Sequence, residues 1–243
     1  MVELRSENVD SAHKLIHGSP VLEYLDILLG PAFESREVLN ISVPTLKLLK
    51  VDHWGFGDQF MVNSPKLEYL DLSYFWAEGF SLENLSSLLE ARINIGYPDS
   101  GPISSTNILN LLRGMLSIFG PHLFSESPFC PEVWITDTLS IRFYANFGDY
   151  VLPTFHTLRN LTHLRLLSGI DAEGFDLNLP SYFLECSPNV KVLVLQGCSL
   201  TKSWSPRLRV PRCLLFHLKE VEFLEFGRAK HEFEVVEYLL KSA

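Results

Sequence analysis

The chain has 243 residues, 47% of them hydrophobic and 20% charged, which is enough apolar material for a sizeable core and excludes wholesale disorder. Its formal net charge of −9 repels a phosphate backbone, so nucleic acid is not expected as a partner. Lys, Glu, Asp or Arg interrupts every leucine cluster well before the roughly 20 consecutive apolar residues of a membrane span, so no membrane insertion is expected either.

At the N-terminus, Met1-Val2-Glu3-Leu4-Arg5-Ser6-Glu7 places acids where a signal peptide needs basic residues followed by an apolar run. An intracellular protein, cytoplasmic or nuclear, is expected. Helical spacing follows over Val9–Ile16, and then a pattern sets in that is apolar at positions 1, 4 and 6. In chain order it reads Leu22/Leu25/Ile27, Leu46/Leu49/Val51, Leu67/Leu70/Leu72, Leu88/Ala91/Ile93, Leu161/Leu164/Leu166, Val190/Leu193/Leu195 and Leu218/Val221/Phe223. The steps between first positions are 24, 21, 21, 73, 29 and 28 residues, the regular ones matching one turn of a leucine-rich solenoid. Within the gap of 73, Thr136/Leu139/Ile141 is a weaker match and Asn107–Ile118 has helical spacing. Leu82–Leu89 and Leu179–Leu184 read as helical or irregular returns. The final segment reads as an amphipathic helix with Phe233, Val236, Leu239 and Leu240 on its apolar stripe, early glutamates and a late Lys241.

Positions 4 and 6 alternate as on a strand and share a face, while position 1 turns the chain into it. One coil cannot bury its own leucines, so the pattern predicts stacked coils forming an α/β leucine-rich-repeat solenoid, with a curved parallel sheet and helical or irregular returns. Proline precedes position 1 by two residues at Pro20, Pro44, Pro65 and Pro188, where its fixed φ suits entry into a sheet. In Val190–Cys198 the ninth position is Cys, which places Cys198 in the buried structure of its coil. The expected organisation is a repeat region over 1–205, irregular at 97–160, and a last coil over 206–243.

Position 5 lies between two buried residues and must face the concave side, giving Asp26, Lys50, Asp71, Arg92, Arg165, Val194 and Glu222. Position 3 adds Tyr24, Leu48, Tyr69, Glu90, His163, Val192 and Glu220 beside it. Tyr24, Asp26, Lys50, Tyr69, Asp71, Arg92, His163, Arg165 and Glu222 are the candidate partner-binding residues, because aromatic and arginine anchors are typical of protein interfaces. The bland reading of the same row is a solvated ladder of cross-strand ion pairs.

The segments Ser19-Pro20-Val21-Leu22-Glu23-Tyr24-Leu25, Ser42-Val43-Pro44-Thr45-Leu46-Lys47 and Ser64-Pro65-Lys66-Leu67-Glu68-Tyr69-Leu70-Asp71-Leu72 resemble plant F-box/FBD/LRR-repeat proteins. So does Phe155-His156-Thr157-Leu158-Arg159-Asn160-Leu161-Thr162-His163-Leu164, and the tail from Cys213 to Leu240 resembles the start of an FBD domain. The resemblance implies a module that holds a protein destined for ubiquitination, in a family whose F-box docks the Skp adaptor of a cullin ligase. Family wording begins close to Met1 and ends at Ala243, so the expectation is a chain with no F-box, a truncated FBD domain and no contact with Skp. A stand-alone scaffold or decoy, or a truncated product without function, is the alternative the same resemblance allows.

Catalytic residues are not expected. Nucleophile elbows of the Gly-x-Ser-x-Gly kind are missing, and Gly55-Phe56-Gly57 lacks the third glycine of a phosphate-cradling loop. Histidines such as His13, His17, His53, His156, His163, His217 and His231 do not pair with cysteines at zinc spacing, so neither a metal nor a cofactor is expected. The four cysteines, at 130, 186, 198 and 213, read as reduced thiols, and Tyr74-Phe75-Trp76 reads as packing beneath the solenoid rim. Acceptor sequences for glycosylation at Asn40, Asn84 and Asn160 carry no weight in a chain read as intracellular.

Overall fold

The computed structural model of the protein describes residues 2–6, 9–29, 38–53, 59–73, 79–95, 137–143, 158, 160–168, 178–197, 210–225 and 230–242. Apolar and polar residues alternate through runs such as Tyr69-Leu70-Asp71-Leu72-Ser73, and burial alternates with them, as a strand with one dry face requires. The strands in chain order are β1 (Val2–Ser6), β2 (Tyr24–Leu29), β3 (Val38–Ile41), β4 (Leu48–His53), β5 (Gln59–Asn63), β6 (Tyr69–Ser73), β7 (Gly79–Glu83), β8 (Glu90–Ile95), β9 (Thr138–Phe143), β10 (His163–Ser168), β11 (Val192–Gln196) and β12 (Glu220–Leu224). Among the described residues the helices are α1 (Val9–His17), α2 (Asn178–Cys186), α3 (Arg212–Phe216) and α4 (Lys230–Ser242).

Among the described residues, nine strands form one sheet in the order β1-β2-β4-β6-β8-β9-β10-β11-β12, all paired in parallel. Its register lines up the repeat. Leu25, Leu49, Leu70, Ala91, Leu139, Leu164, Leu193 and Val221 are successive Cα partners across it, and all but Val221 are at most 1% exposed. This is the aligned interior that the 1-4-6 pattern requires. The backbone joins the coils before the strands begin: the carbonyl of Glu23 accepts from the N–H of both Lys47 and Leu48, and Lys47, Glu68, Leu89, Asp137, Thr162 and Lys191 each repeat the arrangement toward the next coil.

Five coils enter their strands through a β-turn. The N–H of Leu22, Leu46, Leu67, Leu88 and Val190 donates to the carbonyl three residues earlier, on Ser19, Val43, Ser64, Leu85 and Ser187. The four prolines therefore occupy the second position of a turn, where a fixed φ is already correct. In the coil without proline one extra residue separates Leu82 from Leu88, and Asn84 takes it up with φ of 49°. Asparagine tolerates the left-handed region better than other residues with a Cβ.

Behind the large sheet, β3, β5 and β7 form a second parallel sheet. It places Leu39, Ile41, Phe60, Val62 and Leu82 in the common core. The spacing predicts Leu82–Leu89 to be a return, but Leu82 and Glu83 finish β7 and the residues after them form the turn at Leu88. Short alternating stretches of four or five residues suffice for a strand when a neighbouring coil supplies the partner, and helical spacing cannot reveal them.

Among the described residues the expected helical returns are found at Val9–His17 and Asn178–Cys186. Ala12 and Ile16 bury one face of α1, which ends where the N–H of Gly18 donates to the carbonyl of Lys14 at 3.0 Å. α2 buries Tyr182, Phe183 and Leu184, and the buried thiol of Cys213 in α3 donates to the carbonyl of Leu184 at 3.4 Å. The stripe expected on α4 is corrected: Val235 and Leu239 are buried together with Glu232, whereas Phe233 and Leu240 are 54% and 75% exposed. The inward face is thus rotated by about one residue, roughly 100° on a helix, from the one the apolar residues mark.

Two strands extend the repeat beyond the seven triplets. β1 pairs Val2 with Leu25 and Leu4 with Ile27, so it carries positions 4 and 6 of a coil whose position 1 would precede Met1. β9 lies within the stretch read as irregular, buries Leu139 and Ile141, and pairs on one side with β8 and on the other with β10. Among the described residues, one strand therefore occupies the gap of 73 in the large sheet. Asn107–Ile118 lies outside the described residues.

Candidate functional site

Because positions 4 and 6 face the core, positions 3, 5 and 7 of each strand face away from it, and the parallel register turns them into rows. The position-5 row runs Asp26, Lys50, Asp71, Arg92, Ser140, Arg165, Val194 and Glu222. Beside it the position-3 row runs Tyr24, Leu48, Tyr69, Glu90, Thr138, His163, Val192 and Glu220. All nine candidate residues thus share one face of one sheet. Ser140 of β9 stands between Arg92 and Arg165, so the two arginines are two strand spacings apart, about 9–10 Å along the row.

Exposure differs along the rows. Tyr24 is 43% exposed, Lys50, Arg92, His163, Arg165 and Glu222 are exposed, and Asp26, Tyr69 and Asp71 are half-buried. Val194, expected to face solvent, is only 4% exposed. It is a short side chain set in the row between the longer Arg165 and Glu222.

The described contacts concentrate on β6 and β8. Arg92 Cζ lies 5.3 Å from the centroid of the Tyr69 ring, across the strand pair. Its Nε donates to Glu90 Oε1 at 2.7 Å, within its own strand. Asp71 accepts from the Tyr69 hydroxyl at 3.3 Å and from the Ser73 hydroxyl at 3.2 Å. Asn94 Nδ2 then donates to Ser73 Oγ at 2.9 Å, closing a network of six side chains.

On β6 and β8 the described contacts are not a simple ladder of cross-strand ion pairs, since Arg92 turns to Glu90 and the Tyr69 ring while Asp71 is held by two hydroxyls. Burial pushes the Tyr69 phenol up to about 12, with the charge of Asp71 adding to it. The hydrogen bond to Glu90 raises the already high pKa of Arg92. Chemically this is a pre-organised aromatic and guanidinium patch: a planar cation held by its Nε still offers the two-pronged edge that matches a carboxylate.

Ser73 and Asn94, at position 7, are members of the cluster that the candidate set lacks. The alternation that marks positions 3 and 5 extends to them, and carrying it one step further finds both. His163 stands apart from the cluster: its Nδ1 lies 2.8 Å from the Thr162 hydroxyl, which is also 3.1 Å from the carbonyl of Asp137. Among the other histidines, His13 Nε2 accepts the backbone N–H of Asn40 at 3.0 Å and its ring lies 5.8 Å from that of His17. That geometry ties α1 to β3. No group of three or more His, Cys, Asp or Glu residues able to hold a metal is found among the described residues.

Cys186 and Cys213 are free thiols, and burial pushes that of Cys213 up to about 11. Cys130, Cys198, His156, Gly55–Gly57 and Tyr74–Trp76 lie outside the described residues. No helix among the described residues is long and apolar enough to cross a membrane.

Residues 206–243 match the family model described as FBD. Over 256 residues the chain is 30% identical to a putative F-box/FBD/LRR-repeat protein of Arabidopsis thaliana, covering 100% of this chain and 50% of that protein. A putative FBD-associated F-box protein of the same plant is 26% identical over 96% of this chain and 50% of its own length. An F-box/FBD/LRR-repeat protein, also from Arabidopsis, is 22% identical over 100% of this chain and 52% of its own length. The chain thus spans about half the length of the curated relatives it matches. No solved structure matches it.

Proposed function

Because this chain is a relative of the plant F-box/FBD/LRR-repeat proteins and ends in an FBD segment, we propose that it is a non-enzymatic module that captures another protein on the outward rows of its large sheet. The observation that carries the reading is the cluster on β6 and β8, where Arg92, Tyr69, Asp71, Glu90, Ser73 and Asn94 are fixed by mutual contacts before any partner arrives. Pre-organisation of this kind lowers the entropy lost on association. Arginine and tyrosine are the side chains on which binding energy concentrates.

In this reading Tyr24, Asp26, Lys50, His163, Arg165 and Glu222 surround the cluster as a charged rim that selects the partner by complementarity and speeds encounter. The division into a repeat region at 1–205 and a last coil with the FBD segment at 206–243 is part of the proposal. So is delivery of the captured protein to a ubiquitin ligase, which rests on the kinship alone, since a fold does not fix a function.

The experiment is affinity capture from Arabidopsis extract with wild-type protein and with Arg92→Glu plus Arg165→Glu, read by quantitative mass spectrometry. Proteins recovered by the wild type and lost by the variant, with the variant's circular dichroism unchanged, are the expected result. An identical set from both proteins rejects the surface. Skp adaptor and cullin among the co-purified proteins would support ligase delivery, and their absence from a partner-bound sample would assign the chain to a stand-alone scaffold.

A further inference from the structure

Three strands in the middle of the large sheet, β8, β9 and β10, gather the arginines of its outward face. Ser140 on β9 has Arg92 and Arg165 as its Cα partners on either side, and Arg142 follows two residues along the same strand, where it pairs with Asn94 and Leu167. Strands about 4.8 Å apart and a rise of about 3.3 Å per residue put the three arginine Cα atoms roughly 8–10 Å from one another. Ser140 is half-buried, a short side chain among three long ones, which leaves room above it for their guanidinium groups to share one anionic partner. Arg92 and Arg165 are exposed and Arg142 is half-buried. Among the described residues, the outward positions of these three strands hold a single carboxylate, that of Glu90.

Charge sets the class of occupant. The whole chain carries a formal charge of −9, yet here three guanidinium groups meet one carboxylate, and like charges set side by side on a sheet are unfavourable. A partner's carboxylates at this point relieve that repulsion, and arginine offers the two-pronged edge that matches them. The flanks limit how far the acidic stretch extends. Asp71 stands two strands from Ser140 on one side and Glu222 three strands on the other, about 10 and 14 Å away. A long acidic run therefore meets carboxylates at both ends. Toward β2 the position-3 row turns apolar and aromatic: Tyr24 is 43% exposed, and Leu48 and Tyr69, next in register, are half-buried. Arg92 over the Tyr69 ring joins that strip to the basic patch.

We propose that the large sheet binds a partner segment lying across its strands, with a short run of aspartate or glutamate over Arg92, Arg142 and Arg165 and apolar residues beside that run over Tyr24, Leu48 and Tyr69. The acidic part is about three residues long, the number of extended residues that span roughly 10 Å. The apolar part covers exposed aromatic surface and supplies affinity, and the carboxylates fix position and direction. This rests on the reading of the sheet as a capture surface, and adds to it the chemistry of the partner and Arg142 as a contact.

The test probes an array of randomised, capped ten-residue peptides with the intact chain, with Arg142→Gln, and with Arg92→Glu plus Arg165→Glu, all three checked by circular dichroism. The wild type is expected to select peptides in which a short acidic run adjoins leucine or an aromatic residue. It should bind them roughly tenfold tighter than their asparagine and glutamine versions, a preference that shrinks as salt rises. Arg142→Gln is expected to bind the same peptides several-fold more weakly, and the double charge reversal to select basic peptides instead. A neutral or basic consensus that the double variant no longer selects would overturn the acidic partner and leave the capture surface standing. A consensus that the double variant still selects would overturn both. Absence of any consensus, equal affinity for the acidic and amide peptides, or undiminished binding by Arg142→Gln would each overturn the proposal. Concentration-dependent dimerisation abolished by the double variant would overturn it in favour of a second copy of this chain.

Discussion

The guanidinium of Arg92 on β8 stacks over the ring of Tyr69 on β6, Cζ 5.3 Å from the ring centroid, while its Nε is held by Glu90. An exposed contact of this kind contributes about 0.5–1 kcal/mol. Tyr69→Ala and Arg92→Ala are therefore expected to lower stability by amounts of that order, with a coupling in the double mutant that reveals the contact. Arg92→Lys should lose most of the same coupling, because an ammonium cannot stack and reach Glu90 at once. Urea unfolding of the four proteins checks this, and strict additivity would show that the stack contributes nothing.

Tyr69 also makes stability depend on pH in the alkaline range. The folded phenol is pushed up to about 12 from an ordinary 10, first by burial and then by the charge of Asp71. The unfolded chain gives up this proton near pH 10 and the folded one near 12, so the contribution is complete below pH 10 and is lost as pH rises through 12. Absorbance titration of the tyrosinates should show a component near pH 12 vanish in Tyr69→Phe and move down in Asp71→Asn. A titration curve for Asp71→Asn that overlays the wild type would remove Asp71 from the account.

Much of this arrangement is legible in the amino-acid order alone, for a physical reason. Leu25, Leu49, Leu70, Leu164 and Leu193 recur because each coil must cover the next, so the interior is written at every turn of the chain. Strand β1 is hidden because its position 1 would fall before Met1, and β9 is faint because position 1 there is Thr136 rather than a large aliphatic. The second sheet leaves no trace in the spacing because β3, β5 and β7 are four or five residues long and owe their order to one another. The outward face is legible as a row, since alternation dictates it. The choice of partners within that row is not: whether Arg92 meets Asp71 or Glu90 depends on side-chain torsions that spacing does not encode.

Position along the sheet should set the cost of deleting a core side chain. Leu70 is 0% exposed between Leu49 and Ala91, so Leu70→Ala opens a cavity that two packed neighbours cannot close. A loss of about 2–5 kcal/mol is expected there. Val221→Ala, at the half-buried edge, removes less contact and should cost about 1 kcal/mol or less, because the lost transfer term is partial. Equal losses in chemical denaturation would mean that β12 is as fully covered in solution as the inner strands.

In two coils the first position of the turn leading into the strand holds a fully buried serine. Ser64 and Ser187 are both 0% exposed, and neither hydroxyl has a hydrogen-bond partner among the described residues. Val43 and Leu85 fill the equivalent place with apolar side chains that are also buried, so the site is dry and does not need an oxygen. Each backbone carbonyl there still accepts the turn hydrogen bond from Leu67 or Val190, which no side-chain change removes. A buried hydroxyl without a partner costs about 1–3 kcal/mol in desolvation, whereas serine's preference for the first position of a turn offsets only part of that. Ser64→Ala is therefore expected to raise the denaturation midpoint, and Ser64→Val to raise it further by matching Val43. The sign decides the matter: if Ser64→Ala unfolds at lower denaturant, its hydroxyl is bonded in solution, to water or to residues outside those described, and the site is not dry.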